Sequence, residues 1–174
     1  MFTAKTARSL LVALALAIAG SMALPAEAQA RPPLGYQMMC LKTPSACRGG
    51  GASKEQLSSS EMTTLKRVNA SVNRSIKPRH DRAGSDVWTA NASSGDCEDY
   101  ALTKRAALIK AGFAPSALRL AYVKTRNGVG HAVLVVKSNK GDLVLDNLTG
   151  AIRPLSQSGL RVISMAGANP KKWS

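Results

Sequence analysis

Residues 95–147 read GDCEDYALTKRAALIKAGFAPSALRLAYVKTRNGVGHAVLVVKSNKGDLVLDN, and a change of period inside this stretch decides the fold. Between Cys97 and Gly112 the apolar residues Ala101, Leu102, Leu108 and Ile109 form one helical face, with Asp96 as the expected N-cap and the glycine as the stop. Beyond Gly112 the period becomes two. Leu118, Leu120 and Tyr122 alternate, as do His131, Val133 and Val135, and then Leu143 and Leu145. Ser138-Asn139-Lys140-Gly141, between the last two runs, signals a hairpin. Leu160 to Met165 is the candidate for one more strand.

Upstream, Ser58 followed three residues later by Glu61 is a capping-box signature. Met62, Leu65, Val68, Val72 and Ile76 continue from it at helical spacing, and Pro78 closes the run. Lys77 to Gly95 reads as a polar connection carrying one large residue, Trp88. Helices first and an antiparallel meander afterwards is an α+β pattern, and the chain of 174 residues suits one domain. With 45% hydrophobic and only 20% charged residues it is not a disordered polar chain.

The first thirty residues stand apart. Lys5 and Arg8 precede the apolar run Leu10 to Ala19, and small residues follow Pro25, so residues 1–30 read as a secretory signal cleaved after Ala28 or Ala30. The run is too short for a permanent span of ~30 Å of hydrocarbon. The expected division is therefore signal peptide 1–30, a disulfide-tied extension 31–56, and a domain over 57–174. The expected location is periplasmic or secreted. Net charge is +14, and the densest bases are Lys66, Arg67, Arg74, Lys77, Arg79 and Arg82, opposed only by Asp81. Export argues against nucleic acid as the partner and leaves an acidic envelope surface, an acidic protein, or simply a solvated face.

Export also sets the cysteine chemistry. Cys40 and Cys47, with Pro44 between them, are expected to pair in an irregular Pro- and Gly-rich segment over Arg31 to Ser53. That leaves Cys97 unpaired at the first turn of a helix, where free N–H groups and the positive dipole end favour a thiolate. A catalytic thiol needs an imidazole, and the imidazole a third group to orient it. The chain has two histidines, His80 in the basic loop and His131 at a strand start. A hairpin turn centred between Asn139 and Lys140 puts Asp146 diagonal to His131 on one sheet face. A turn centred one residue earlier puts them directly opposite.

Gly95-Asp96-Cys97-Glu98-Asp99-Tyr100-Ala101, Gly130-His131-Ala132-Val133-Leu134 and Leu145-Asp146-Asn147 together resemble the bacterial transglutaminase-like cysteine proteinases, the LapG-like family. The resemblance spans about residues 57–150 and implies a papain-like, transglutaminase-like core, with the catalytic cysteine at a helix N-terminus packed on an antiparallel sheet. It implies a Cys97–His131–Asp146 triad, periplasmic proteolysis of an envelope protein, and no organic cofactor. One departure is that many members carry Trp-x-x-Pro-x-Glu before the cysteine, whereas here Trp88 precedes Thr89-Ala90-Asn91.

Asp96, Glu98 and Asp99 surround the cysteine. Acids at a helix start are favourable as caps, with Asp96 and Asp99 reciprocal, yet carboxylates beside a thiol oppose its ionisation. A bound cation neutralises them, and hard oxygen ligands suit Ca²⁺. The resemblance implies calcium on Asp96 and Glu98, with Asp99 as a third candidate. Two other readings use the same residues: acyl transfer to an amine, as in a transglutaminase or amidase, and a non-catalytic basic module that binds the envelope.

Overall fold

The computed structural model describes residues 30–174, so the expected signal peptide lies outside the described residues except for Ala30. Helix α2 (Ser59–Ser75) begins where the capping box predicts. Ser58 Oγ accepts the Glu61 N–H at 3.3 Å, and Glu61 Oε2 accepts the Ser58 N–H at 2.6 Å. A cap of this kind contributes about 1 kcal/mol. Leu65, Val68 and Val72 are buried on the face that packs against helix α3 (Cys97–Lys110). Gly112, at φ +96°, follows α3 in the left-handed conformation that glycine adopts without strain.

Two short strands, β1 (Lys77–Pro78) and β2 (Ser94–Gly95), pair in parallel and bring the ends of the long connection together just before α3. The main sheet contains β3 (Leu118–Lys124), β4 (Gly130–Ser138), β5 (Gly141–Leu145), β6 (Arg153–Pro154) and β7 (Arg161–Met165). Its order is β6-β5-β4-β3-β7, antiparallel throughout. Ser138 opposes Gly141 and Leu134 opposes Leu145, so the β4–β5 turn is centred between Asn139 and Lys140.

Central strand β4 is buried on both faces, which explains its unbroken apolar run. Leu118, Leu120, Leu134, Val136, Leu143 and Leu145 join Leu65, Leu102 and Leu108 in the larger core. Ala121, Val123, Val133, Val135 and Val144 form a second cluster on the other face, covered by Leu155, Leu160 and Met165. Among the described residues no helix is long and apolar enough to cross a membrane.

The segment Arg31 to Ser53 differs from the expected irregular extension. It contains helix α1 (Leu34–Lys42) and a 3-10 turn over Pro44–Cys47, joined by the Cys40–Cys47 disulfide. Helix formation here is driven by burial: Tyr36 and Met39, three residues apart, enter the core. The Tyr36 ring meets Trp88 and Trp173 edge-on at 5.6 and 5.4 Å. Arg105 of α3 ties the segment down, its guanidinium donating to Ala46 O and Arg48 O at 2.7 Å and to Leu118 O at 3.2 Å.

Candidate functional site

Cys97 is the first residue of α3, and Gly95 shapes the approach to it. A Cβ on Gly95 would collide with the Asp99 carboxylate, so only glycine lets Asp99 fold back over the chain entering the helix. Asp99 Oδ1 accepts the Thr89 N–H at 2.7 Å, and burial pushes its carboxyl up to about 6. Asp96 occupies the N-cap position, but its side chain makes no capping bond, contrary to the reciprocal cap expected. Instead its Oδ2 accepts the Asp81 N–H at 3.4 Å, and its Oδ1 is buried without a partner.

The carboxylates of Asp81, Asp96 and Glu98 converge, with one oxygen of each lying within 4.8 Å of the others. Asp81 is thus the third acid of the cluster, and Asp99 is held elsewhere. The signal for Asp81 was its isolation, a single acid inside a run of six bases. Its Oδ2 accepts the Val87 N–H at 2.5 Å. Burial, followed by a shared hydrogen bond with Asp96, pushes Glu98 up to about 8.

The thiol of Cys97 donates to Glu98 Oε2 at 3.1 Å. Burial, then the Glu98 charge and that hydrogen bond, push the thiol up to about 12; the Ala132 backbone N–H opposes them. Burial and the neighbouring acid thus act against the thiolate that a helix N-terminus favours.

His131, the second residue of β4, is 5% exposed. Its Nε2 lies 2.8 Å from Asp146 Oδ1. Burial pushes Asp146 up, but the hydrogen bonds from His131 and the Leu148 N–H, with the charges of His131 and Lys104, prevail and hold its carboxyl below the usual range. An ionised Asp146 only accepts, so Nε2 carries the proton and Nδ1 is left as the basic nitrogen. Cys97 and His131 together line two neighbouring cavities. One, of about 540 Å³, is walled by Trp88, Tyr122 and Leu34; the other, of about 690 Å³, by Tyr100, Val129 and Leu148. Trp88 is both buried and a cleft wall, its Nε1 donating to Asp86 Oδ1 at 2.7 Å. His80 lines only the second cavity.

The arrangement juxtaposes a thiol, an imidazole oriented by a carboxylate, and a cluster of acids, the constellation of a cysteine acyl-transfer site. The family model described as bacterial transglutaminase-like cysteine proteinase matches residues 26–174. Among solved structures, calcium-bound Legionella pneumophila LapG superposes with a TM-score of 0.57 at 24% identity, covering 67% of this chain and 68% of that one. The EGTA-treated form of the same protein gives 0.55 at 25% identity over 62% and 63%. Comparison with curated proteins gives no match. With the family model extending over the whole of α1, both helices of the core and the sheet, the chain belongs to the bacterial transglutaminase-like cysteine proteinases and is a cysteine peptidase of that fold.

Proposed function

We propose that the protein is an exported peptidase that hydrolyses peptide bonds of envelope or surface proteins through Cys97, His131 and Asp146. The observation that carries this reading is the position of Cys97 and His131 on the wall shared by two cavities, which offers an extended peptide a seat on each side of the reacting bond. His131 Nδ1 takes the thiol proton, and Cys97 Sγ attacks the peptide carbonyl. The tetrahedral oxyanion is stabilised by free N–H groups of the first turn of α3, that of Cys97 among them. The imidazolium returns its proton to the leaving amine, giving a thioester and a free amino terminus. Water, deprotonated by His131, then releases the acid and the thiol. Asp146 keeps the imidazole in the required tautomer and stabilises its cation throughout.

The acids beside Cys97 fit a divalent cation. Asp81, Asp96 and Glu98 supply hard oxygens, Asp96 Oδ1 is a buried acceptor with no donor, and Glu98 is buried where a carboxylate is costly. LapG structures described as calcium-bound and EGTA-treated support calcium as the ion, which these three residues would hold here. When bound, it neutralises the carboxylates that oppose ionisation of Cys97. Export is supported by the signal-like residues 1–30 and by the Cys40–Cys47 disulfide, which belongs in an oxidising compartment.

The test is a comparison of envelope proteins from cells carrying the active enzyme or Cys97→Ala. Proteins shortened by hydrolysis only with the active enzyme are the expected result. Identical envelope profiles would contradict the proposed role.

A further inference from the structure

Among the described residues, two of the most exposed large apolar side chains stand beside the reacting groups. Val129 is 62% exposed and Leu148 is 67% exposed. Val129 lies two residues before His131, and Leu148 two residues after Asp146. Both line the cavity of about 690 Å³ that Cys97 and His131 also line. Single exposed apolar residues are ordinary on a protein surface. Two that converge on one cleft at a reactive centre are a surface built to be covered.

Backbone bonds hold both residues in place. In the turn between β3 and β4, the Thr125 N–H donates to Val129 O at 2.9 Å and the Val129 N–H to Thr125 Oγ1 at 3.2 Å. The Leu148 N–H donates to Asp146 Oδ1 at 3.0 Å, and Asn73 Nδ2 of α2 donates to Asp146 O at 2.9 Å. Tyr100 lines the same cavity with its hydroxyl already committed to Ile76 O at 2.8 Å. Arg79 and His80 supply the polar side. A cleft with an apolar wall, a few polar groups and the nucleophile at its edge suits a peptide side chain.

We propose that Val129 and Leu148 form the specificity wall of the peptidase and receive a large aliphatic side chain, such as Leu or Ile, from a substrate residue near the scissile bond. The inference rests on the peptidase reading and adds the substrate class. The occupant is the substrate itself, because the wall is continuous with the reacting groups and a side chain seated on it belongs to a chain that passes Cys97. An aliphatic side chain removes the exposed hydrocarbon of both residues from water, whereas Gly or Ser at that position leaves it wet.

The test uses calcium-loaded protein and peptide libraries varied one position at a time. At one position within two residues of the scissile bond, Leu should give a kcat/KM about tenfold or more above Gly or Ser. Val129→Ser combined with Leu148→Ser should reduce that ratio to about two or less. Because the ratio is taken within one enzyme, a general loss of activity cancels. Both substitutions keep the backbone N–H groups, including the Leu148 bond to Asp146. The single substitutions are read by the same criterion if the double variant does not fold. Equal cleavage of Leu and Gly peptides at every position, or a preference that survives the substitutions, overturns the proposal. In Cys97→Ala protein, the methyl NMR signals of Val129 and Leu148 should shift with the Leu peptide and not with the Gly peptide. Shifts that follow protein concentration alone would assign the wall to a second copy of the chain and overturn the proposal. This binding readout needs no turnover, so failure of the peptidase reading shows separately, as no cleavage of any peptide.

Discussion

Asp146 reaches His131 diagonally across the end of the β4–β5 hairpin, Oδ1 to Nε2 at 2.8 Å. The last backbone pair is Leu134 with Leu145, so Asp146 lies one step beyond the ladder, level with Val133 and two residues from His131. The Leu148 N–H, at 3.0 Å from the same Oδ1, fixes the carboxylate from its other side. Asp146→Asn keeps the shape but surrenders the charge that supports the imidazolium. Peptidase kcat should fall by about two to four orders of magnitude. Thermal unfolding of this variant should still show one cooperative transition, measured by calorimetry, and His131→Ala should be as inactive.

The 3.1 Å bond from the Cys97 thiol to Glu98 makes the state of the acid cluster decisive for activity. Treatment with EGTA should lower both activity and melting temperature. Excess Ca²⁺ should restore them and Mg²⁺ should not, because Mg²⁺ gives up its water reluctantly. Asp81→Asn should abolish the calcium response. Asp99→Asn should retain it, since Asp99 is bound to the Thr89 N–H and lies outside the cluster.

Decalcified protein should become less stable as pH rises from about 5 toward neutrality. Burial raises Glu98 from 4.5 to about 8 and Asp99 from 3.8 to about 6. Between the ordinary and the raised values the native state keeps protons that the unfolded chain releases, so stability falls with rising pH. Asp146, held below its usual range, acts oppositely at the acid end, and Lys104, lowered by burial from 10.5 to about 7, acts oppositely above neutrality. Melting temperatures measured from pH 5 to pH 7 should decline without calcium, and saturating Ca²⁺ should remove most of the slope.

Gly95→Ala should disturb the start of α3, since the new methyl group occupies the space of the Asp99 carboxylate. The expected cost is about 1–3 kcal/mol in denaturant unfolding, with reduced activity from displacement of Cys97. Reducing the Cys40–Cys47 disulfide should cost about 2–3 kcal/mol, the entropy of a short closed loop, and loosen α1 against Trp88.

Much of this site was legible because it depends on local pattern. The capping box placed α2, alternation placed β3 to β5, and parity in the hairpin allowed Asp146 to share a face with His131. What escaped depends on three-dimensional surroundings. Asp81 joins Asp96 and Glu98 only because β1 pairs with β2 and the connection between them returns to the start of α3. The helix dipole at Cys97 was readable, but not the burial that opposes it. The enclosure of Lys104 emerges only when α3 is packed. Helix α1 is too short for periodicity to declare it and depends on Tyr36 and Met39 finding the core.

The most direct test of the central claim is covalent trapping of the nucleophile by a peptide vinyl sulfone in calcium-loaded native protein, followed by intact mass and peptide mapping. One adduct per chain, located on Cys97 and slowed strongly by His131→Ala, is the predicted result. An adduct at any other residue, or peptide hydrolysis surviving in Cys97→Ala, would contradict the assignment of Cys97 as the nucleophile.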